Sequence, residues 1–163
     1  YGRGSGPVWP HAQVFWAEAA LRNGRPDLFW REFMLMAQHA ERDGHFAETL
    51  HPETGEIYGG VQEVNYTSKP RQTWCATGFI RLVLRGLLGM DFQPDGIGFH
   101  PWLPAELDAA NCTQLAYRQA SLSISIAGHG SRIARFSING RTGVQPWLPA
   151  DARGVQQVEI LLG

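Results

Sequence analysis

The chain is short of cysteine, of uncompensated charge and of long apolar runs, and each shortage removes a class of protein. Its two cysteines, Cys75 and Cys112, lie far apart and fit no metal-ligand spacing, so no cysteine metal site is assigned. Two buried free thiols are expected, Cys75 in or beside a helix and Cys112 in a loop. A formal net charge of -1 gives no reason to expect nucleic acid or an acidic membrane surface as partner. No apolar run reaches the length of a membrane span. Aromatics, by contrast, are plentiful, with six Trp, eight Phe and four Tyr. Most should fill a core, and the remainder can stack on the apolar faces of sugar rings. With 163 residues, 44% of them hydrophobic, the chain suits one ordinary soluble domain or two small units.

The pattern of hydrophobic residues divides the chain in two. Glycine and proline forbid regular structure over residues 1–10 until Pro10, which suits the first turn of a helix. Ala12, Phe15, Trp16, Ala19 and Ala20 then recur at helical spacing and predict one buried face. Asn23-Gly24 ends this helix, and Pro26-Asp27 begins another with an apolar face of Phe29, Trp30, Phe33, Met34, Ala37 and Ala40. Asp43-Gly44 stops it, and the short link between the two helices predicts an antiparallel hairpin. Residues 45–71, rich in Pro and Gly, read as a long ordered loop with a short extended piece near Ile57. Residues 72–88 predict a third helix whose buried face is Ala76, Phe79, Ile80, Val83, Leu84, Leu87 and Leu88, with Arg81 and Arg85 opposite.

Beyond Met90 the period changes from helix to strand. Asp95-Gly96 marks a turn before Ile97 and Phe99. Ala116-Tyr117-Arg118 reads as a strand, and Leu122, Ile124 and Ile126 alternate with serines as in a half-buried one. Residues 132–138 predict another strand, Asn139-Gly140 a hairpin turn, and residues 155–162 a last strand. Pro101-Trp102-Leu103-Pro104-Ala105 is echoed by Pro146-Trp147-Leu148-Pro149-Ala150; both copies should be rigid segments at the sheet margin, each Trp over an edge. The expected fold is therefore α+β, helical over residues 1–89 and a small antiparallel β-sandwich-like unit over residues 90–163.

Three helices with broad apolar faces cannot be covered by one small β unit, and the uncovered surface calls for a partner. The start at Tyr1-Gly2-Arg3-Gly4 also reads as the middle of a loop. The expectation is that the chain is the C-terminal part of a larger enzyme, partnered by its missing N-terminal part or by an oligomer.

The stretch that organises the chain is Gly44-His45-Phe46-Ala47-Glu48-Thr49-Leu50-His51-Pro52-Glu53-Thr54-Gly55, followed after the loop by Gln72-Thr73-Trp74-Cys75-Ala76-Thr77-Gly78. Together with Gly6-Pro7-Val8-Trp9-Pro10, Gly86-Leu87-Leu88-Gly89 and the passage from Asp95 to Pro104, it resembles the end of a six-hairpin (α/α)6 glycosidase. Relatives of processing α-glucosidase I and of bacterial amylo-α-1,6-glucosidase-like proteins share this order of motifs, which covers nearly the whole chain. The resemblance implies that residues 1–89 belong to an (α/α)6 barrel, and that the enzyme is an inverting hydrolase with no cofactor. It places the catalytic base on Glu48. The general acid, usually an aspartate, would lie upstream of this chain, and the barrel needs many more helices than the chain holds. A phosphorylase or polysaccharide lyase on the same barrel is an alternative, as is a non-catalytic carbohydrate-binding fragment.

Inverting hydrolysis needs a base that deprotonates water on the face opposite the leaving group, with the two carboxyl groups roughly 6.5–9.5 Å apart. Glu48 suits this role because a helix end precedes it and a stiff Pro-x-Thr-Gly turn follows. Read without the motif it is a solvated loop carboxylate. Glu53 and Glu56 are its rivals in the same loop, and Glu63 a weaker one. Trp9 and Trp74, just before helices, are the candidates for stacking on pyranose rings; Trp16 and Trp30 lie on helical faces and are assigned to the core. Gln72, Gln13 and His11 could hydrogen-bond sugar hydroxyls, though each alone is more often structural. His39, His45 and His51 repeat at no ligand spacing, so no metal is assigned. Lys69 and Arg71 could meet an anionic group but more often such residues are solvated.

Overall fold

The computed structural model describes residues 6–58, 68–143 and 145–163. Among these the chain is mixed α+β, with three α-helices followed by sheets of three and five strands. It divides into two compact units, Tyr1–Leu82 and Val83–Gly163. Packing thus divides the chain at Leu82, a little before strands replace helices at Met90.

In the helical unit, α1 (Pro10–Arg22) begins with Pro10 in its first turn, and α2 (Pro26–Asp43) ends on Gly44 in the left-handed region at φ 69°. α3 spans Thr73–Arg81. The buried side of α1 is Val14, Ala17, Glu18 and Ala20, which overturns most of the expected face. Phe15 and Trp16 turn outward, 62% and 53% exposed. The reason is a close crossing with α3: a Cβ on Gly78 would sit 2.7 Å from Val14 Cγ2, so the bare glycine lets the helices approach where only small side chains fit. The buried strip of α3 accordingly runs through Cys75 and on to Leu82, and Ile80, expected inside, is 55% exposed. On α2 the expected Phe29 is fully buried, but Met36 rather than Met34 joins it. A stack of rings completes this core, Trp30 on Phe33 at 5.3 Å, Phe33 on Phe79 at 4.8 Å and Phe79 against Phe46 at 5.4 Å.

The single helix expected over residues 72–88 is α only as far as Arg81 and then widens into a π-helical stretch, Leu82–Leu87. The Leu88 N–H donates to the Val83 carbonyl, five residues back, at 2.9 Å.

The second unit begins with β1 (Met90–Gln93) and β2 (Gly96–Phe99), joined by the Pro94-Asp95 turn. β3 (Ala109–Tyr117), β4 (Gln119–Ala127), β5 (Ile133–Ile138) and β6 (Arg141–Thr142) follow. β7 (Trp147–Pro149) and β8 (Arg153–Leu162) close the chain. The sheets are β1-β2-β7 and β3-β4-β8-β5-β6, and the Phe99 and Phe136 rings, one from each, meet at 5.7 Å. Asn139 and Gly140 both take positive φ, 51° and 75°, and form the tight turn between β5 and β6 expected of that dipeptide.

Three expectations are corrected here. The unit is not purely antiparallel, because β8 returns between β4 and β5 and pairs with β4 in parallel, from Gln119↔Arg153 to Ala127↔Leu161. The gain is burial on both flanks: Leu122, Ile124 and Ile126 of β4 and Val158, Ile160 and Leu162 of β8 form adjoining buried rows. The second Pro-Trp-Leu-Pro copy lies at the sheet margin as expected but is itself a strand, the edge strand β7 paired with β2, with the Trp147 ring against the bare face of Gly96. Cys112 lies half-buried in β3 rather than in a loop; both thiols are free, and Cys75 is the fully buried one.

The close crossing makes Gly78→Ala destabilising, although alanine favours helix by up to about 1 kcal/mol. Overpacking against the stiff Val14 side chain should cost about 1–3 kcal/mol. Denaturant unfolding of the single and double variants checks this: Val14→Ala should relieve most of the Gly78→Ala penalty, and simple additivity of the two would contradict the packing.

Candidate functional site

Residues 46–50 carry Glu48, and backbone hydrogen bonds hold them on two sides. On one side Val8 and Leu50 exchange a pair of hydrogen bonds, each 2.9 Å, which places the chain just before Trp9 beside the loop. On the other side the Glu48 N–H donates to the Lys69 carbonyl at 2.9 Å, and the Gln72 N–H donates to the Phe46 carbonyl at 2.7 Å. Between these, the buried Ser68 hydroxyl accepts from the Thr49 N–H at 3.0 Å and donates to the Thr49 carbonyl at 2.9 Å. The Thr49 hydroxyl donates to the Tyr58 carbonyl at 2.6 Å, and Leu50 bridges to Ile57, the extended piece expected there.

Glu48 is half-buried, and its Oε2 accepts from the Lys69 N–H at 3.1 Å. The loop that follows is built on His51, whose Nδ1 accepts from the Glu53 and Thr54 amides at 3.2 Å each. Gly55 closes that turn at φ 69°, against the His39 ring. Of the rival carboxylates, Glu53 and Glu56 are exposed, and Glu63 lies outside the described residues.

The two helices that carry the candidate aromatics are fixed to each other near their middles. Besides the Val14–Gly78 contact, the buried Glu18 carboxylate of α1 is gripped by the Arg81 guanidinium of α3, with one bond of 2.8 Å. At their N-terminal ends the His11 ring stands between two indoles, edge-on to Trp9 at 5.5 Å and to Trp74 at 5.6 Å. Trp74 is 65% exposed. Cys75 joins this row to the loop: the His11 backbone hydrogen-bonds its sulfur, and the Glu48 charge acts on it. Trp9, His11 and Trp74 are therefore neighbours, Cys75 follows Trp74 in the first turn of α3 with the Glu48 charge acting on its sulfur, and Gln72 is the N-cap of that helix. The exposed Lys69 and Arg71 flank the same helix start.

Gln13 falls elsewhere. It lines a groove of about 690 Å³ together with Trp9, Trp16, Glu32, Glu53 and Pro52. Glu48, His11, Gln72 and Trp74 are not among the groove's walls. Trp16, expected in the core, is half open to solvent there because the α1–α3 crossing selects small residues for its interior side. Glu32 was missed by sequence reasoning. It is buried, with Oε2 accepting from Gln13 Nε2 at 2.7 Å and Oε1 from Arg31 at 2.7 and 3.1 Å. It lies three residues after Phe29 and four before Met36, on a buried side of α2 that the predicted face did not include. Trp30, also assigned to the core, does stack there on Phe33. Among the described residues no group of three or more His, Cys, Asp or Glu could hold a metal ion.

Comparison with known proteins adds no relative: no family profile and no curated protein sequence matches this chain.

Burial first, with the Glu48 charge in addition, pushes the Cys75 thiol up to about 11 from an ordinary 9.0, against a lowering hydrogen bond from the His11 backbone. The sulfur is thus a neutral thiol near pH 7 and no nucleophile. Because the folded value is the higher one, the group favours the fold fully below about pH 9, and this contribution is lost as pH rises to about 11. Glu48→Gln removes a charge that opposes the thiolate and should lower the Cys75 value, read from thiolate absorbance in a Cys112→Ser background. An unchanged titration would place Glu48 away from this cluster.

Proposed function

We propose that this chain is the C-terminal part of an (α/α)6 glycoside hydrolase that inverts the configuration at the sugar carbon, with Glu48 as the general base. The observation that carries the reading is a backbone-pinned, half-buried carboxylate on a segment hydrogen-bonded to the stretches before α1 and α3, whose starts carry the adjoining rings of Trp9, His11 and Trp74. A base needs a fixed orientation, and the Lys69 N–H donated to Glu48 Oε2 supplies one. Trp74 and Trp9 offer apolar faces to a pyranose ring, and Gln72 and His11 offer polar groups for its hydroxyls. Glu48 takes the proton of a water as that water attacks the anomeric carbon, and the glycosidic oxygen leaves with a proton from an acid supplied by the rest of the enzyme.

The barrel reading is supported by the outward-facing Phe15 and Ile80, large apolar side chains that a helical unit rarely leaves without cover. The missing N-terminal part of the same enzyme is the partner proposed for that surface.

In the enzyme that carries this chain, Glu48→Gln should lower kcat by about 10²–10⁴-fold with a small change in KM. Near-normal turnover would leave a carbohydrate-binding fragment as the reading. A dependence on added phosphate would indicate a phosphorylase, and an unsaturated product a lyase.

A further inference from the structure

We infer that the groove beside α1 is a second glycosyl-binding subsite, walled by Trp16 and Trp9 and floored by Gln13, which takes a neutral sugar unit; it rests on the carbohydrate reading of the Glu48 site. Its volume, about 690 Å³, lies within the range of small-ligand sites. The floor is oriented by chemistry. A carboxylate only accepts, so the Gln13 amide must turn its Nε2 to Glu32, and this fixes the position of Oε1. That Oε1 is buried and has no hydrogen-bond partner. A buried carbonyl oxygen without a donor is costly, and a bound hydroxyl would supply the donor.

The groove also selects by charge. Among the described residues its walls carry no lysine or arginine. His39, its one imidazole, is held toward the neutral form by burial and then by the neighbouring Arg42 cation. The carboxylates Glu32 and Glu53 lie in the walls, so an anionic sugar meets acceptors and no cation. Glu32 is itself already paired with the Arg31 cation and accepts a hydrogen bond from Gln13, so the groove floor does not call for a cationic ligand either. A neutral polyol with one apolar ring face satisfies the free oxygen and both indoles. Trp9 also borders His11, so the groove and the Glu48 cluster share one residue and could hold successive units of one oligosaccharide.

The test is calorimetric titration of the full chain with maltotriose, cellotriose and trigalacturonate, with circular dichroism on each variant to verify its fold. At least one neutral trisaccharide should bind, and both Trp16→Ala and Gln13→Leu should weaken it about tenfold, which corresponds to about 1.4 kcal/mol. Phe15→Ala, exposed on the same helix but outside the groove, should leave binding unchanged. Binding that persists undiminished in both groove variants overturns the subsite and leaves the Glu48 reading intact. Trigalacturonate binding as tightly as the neutral sugars overturns the charge argument and with it the subsite. If neither neutral trisaccharide binds, the subsite and the carbohydrate reading fall together.

Discussion

Residues 46–50 run between the stretch before α1 and the stretch before α3, and they are hydrogen-bonded to both. That double attachment is the constraint on which the helical unit's chemistry depends. A five-residue peptide between a helix stop and a Pro-x-Thr-Gly turn would otherwise sample many conformations, and a carboxylate on it would be positioned by chance. With Val8 on one side and Ser68, Lys69 and Gln72 on the other, its backbone groups find fixed partners, so ordering the loop satisfies polar groups rather than stranding them. Ser68 matters most among these, because one buried hydroxyl serves both the N–H and the carbonyl of Thr49, the residue after Glu48.

The same economy shapes the helices. α1 and α3 meet through Val14, Gly78 and the Glu18–Arg81 pair. Close approach brings their first turns together, and those turns hold His11 and Trp74. The larger side chains are displaced to the outside, where Phe15, Trp16 and Ile80 form apolar surface and Trp16 becomes a groove wall. One packing decision thus sets both the aromatic row and the exposed face.

Element boundaries were legible where local chemistry decides them. Pro10, Asn23-Gly24, Pro26, Gly44 and Asn139-Gly140 marked starts, stops and a hairpin turn, and the alternation through Leu122, Ile124 and Ile126 marked β4. Faces were less legible, because size ranking sends Phe15 and Ile80 inside while the glycine at the crossing sends Val14 and Cys75 there instead. The parallel β4–β8 pairing was illegible for a related reason: it is set by partners distant in sequence. For the candidate site, the pairing of the Glu48 segment with the stretches that lead into α1 and α3 could be anticipated from motif order. The separate grouping of Gln13 with Trp16 and Glu32 could not, since it depends on which way α1 is rotated.

The claim at the centre is that the attachment of residues 46–50 acts on chemistry through the Glu48 carboxylate. The most direct measurement is a double-variant cycle on turnover with Ser68→Ala and Glu48→Gln in the enzyme that carries this chain. Loosening the loop should misplace the carboxylate, and Ser68→Ala alone should lower kcat by about 10–100-fold. In the Glu48→Gln background the same change should have almost no further effect, because the group it positions is no longer a base. An equal loss in both backgrounds, or no loss in either, would contradict the account.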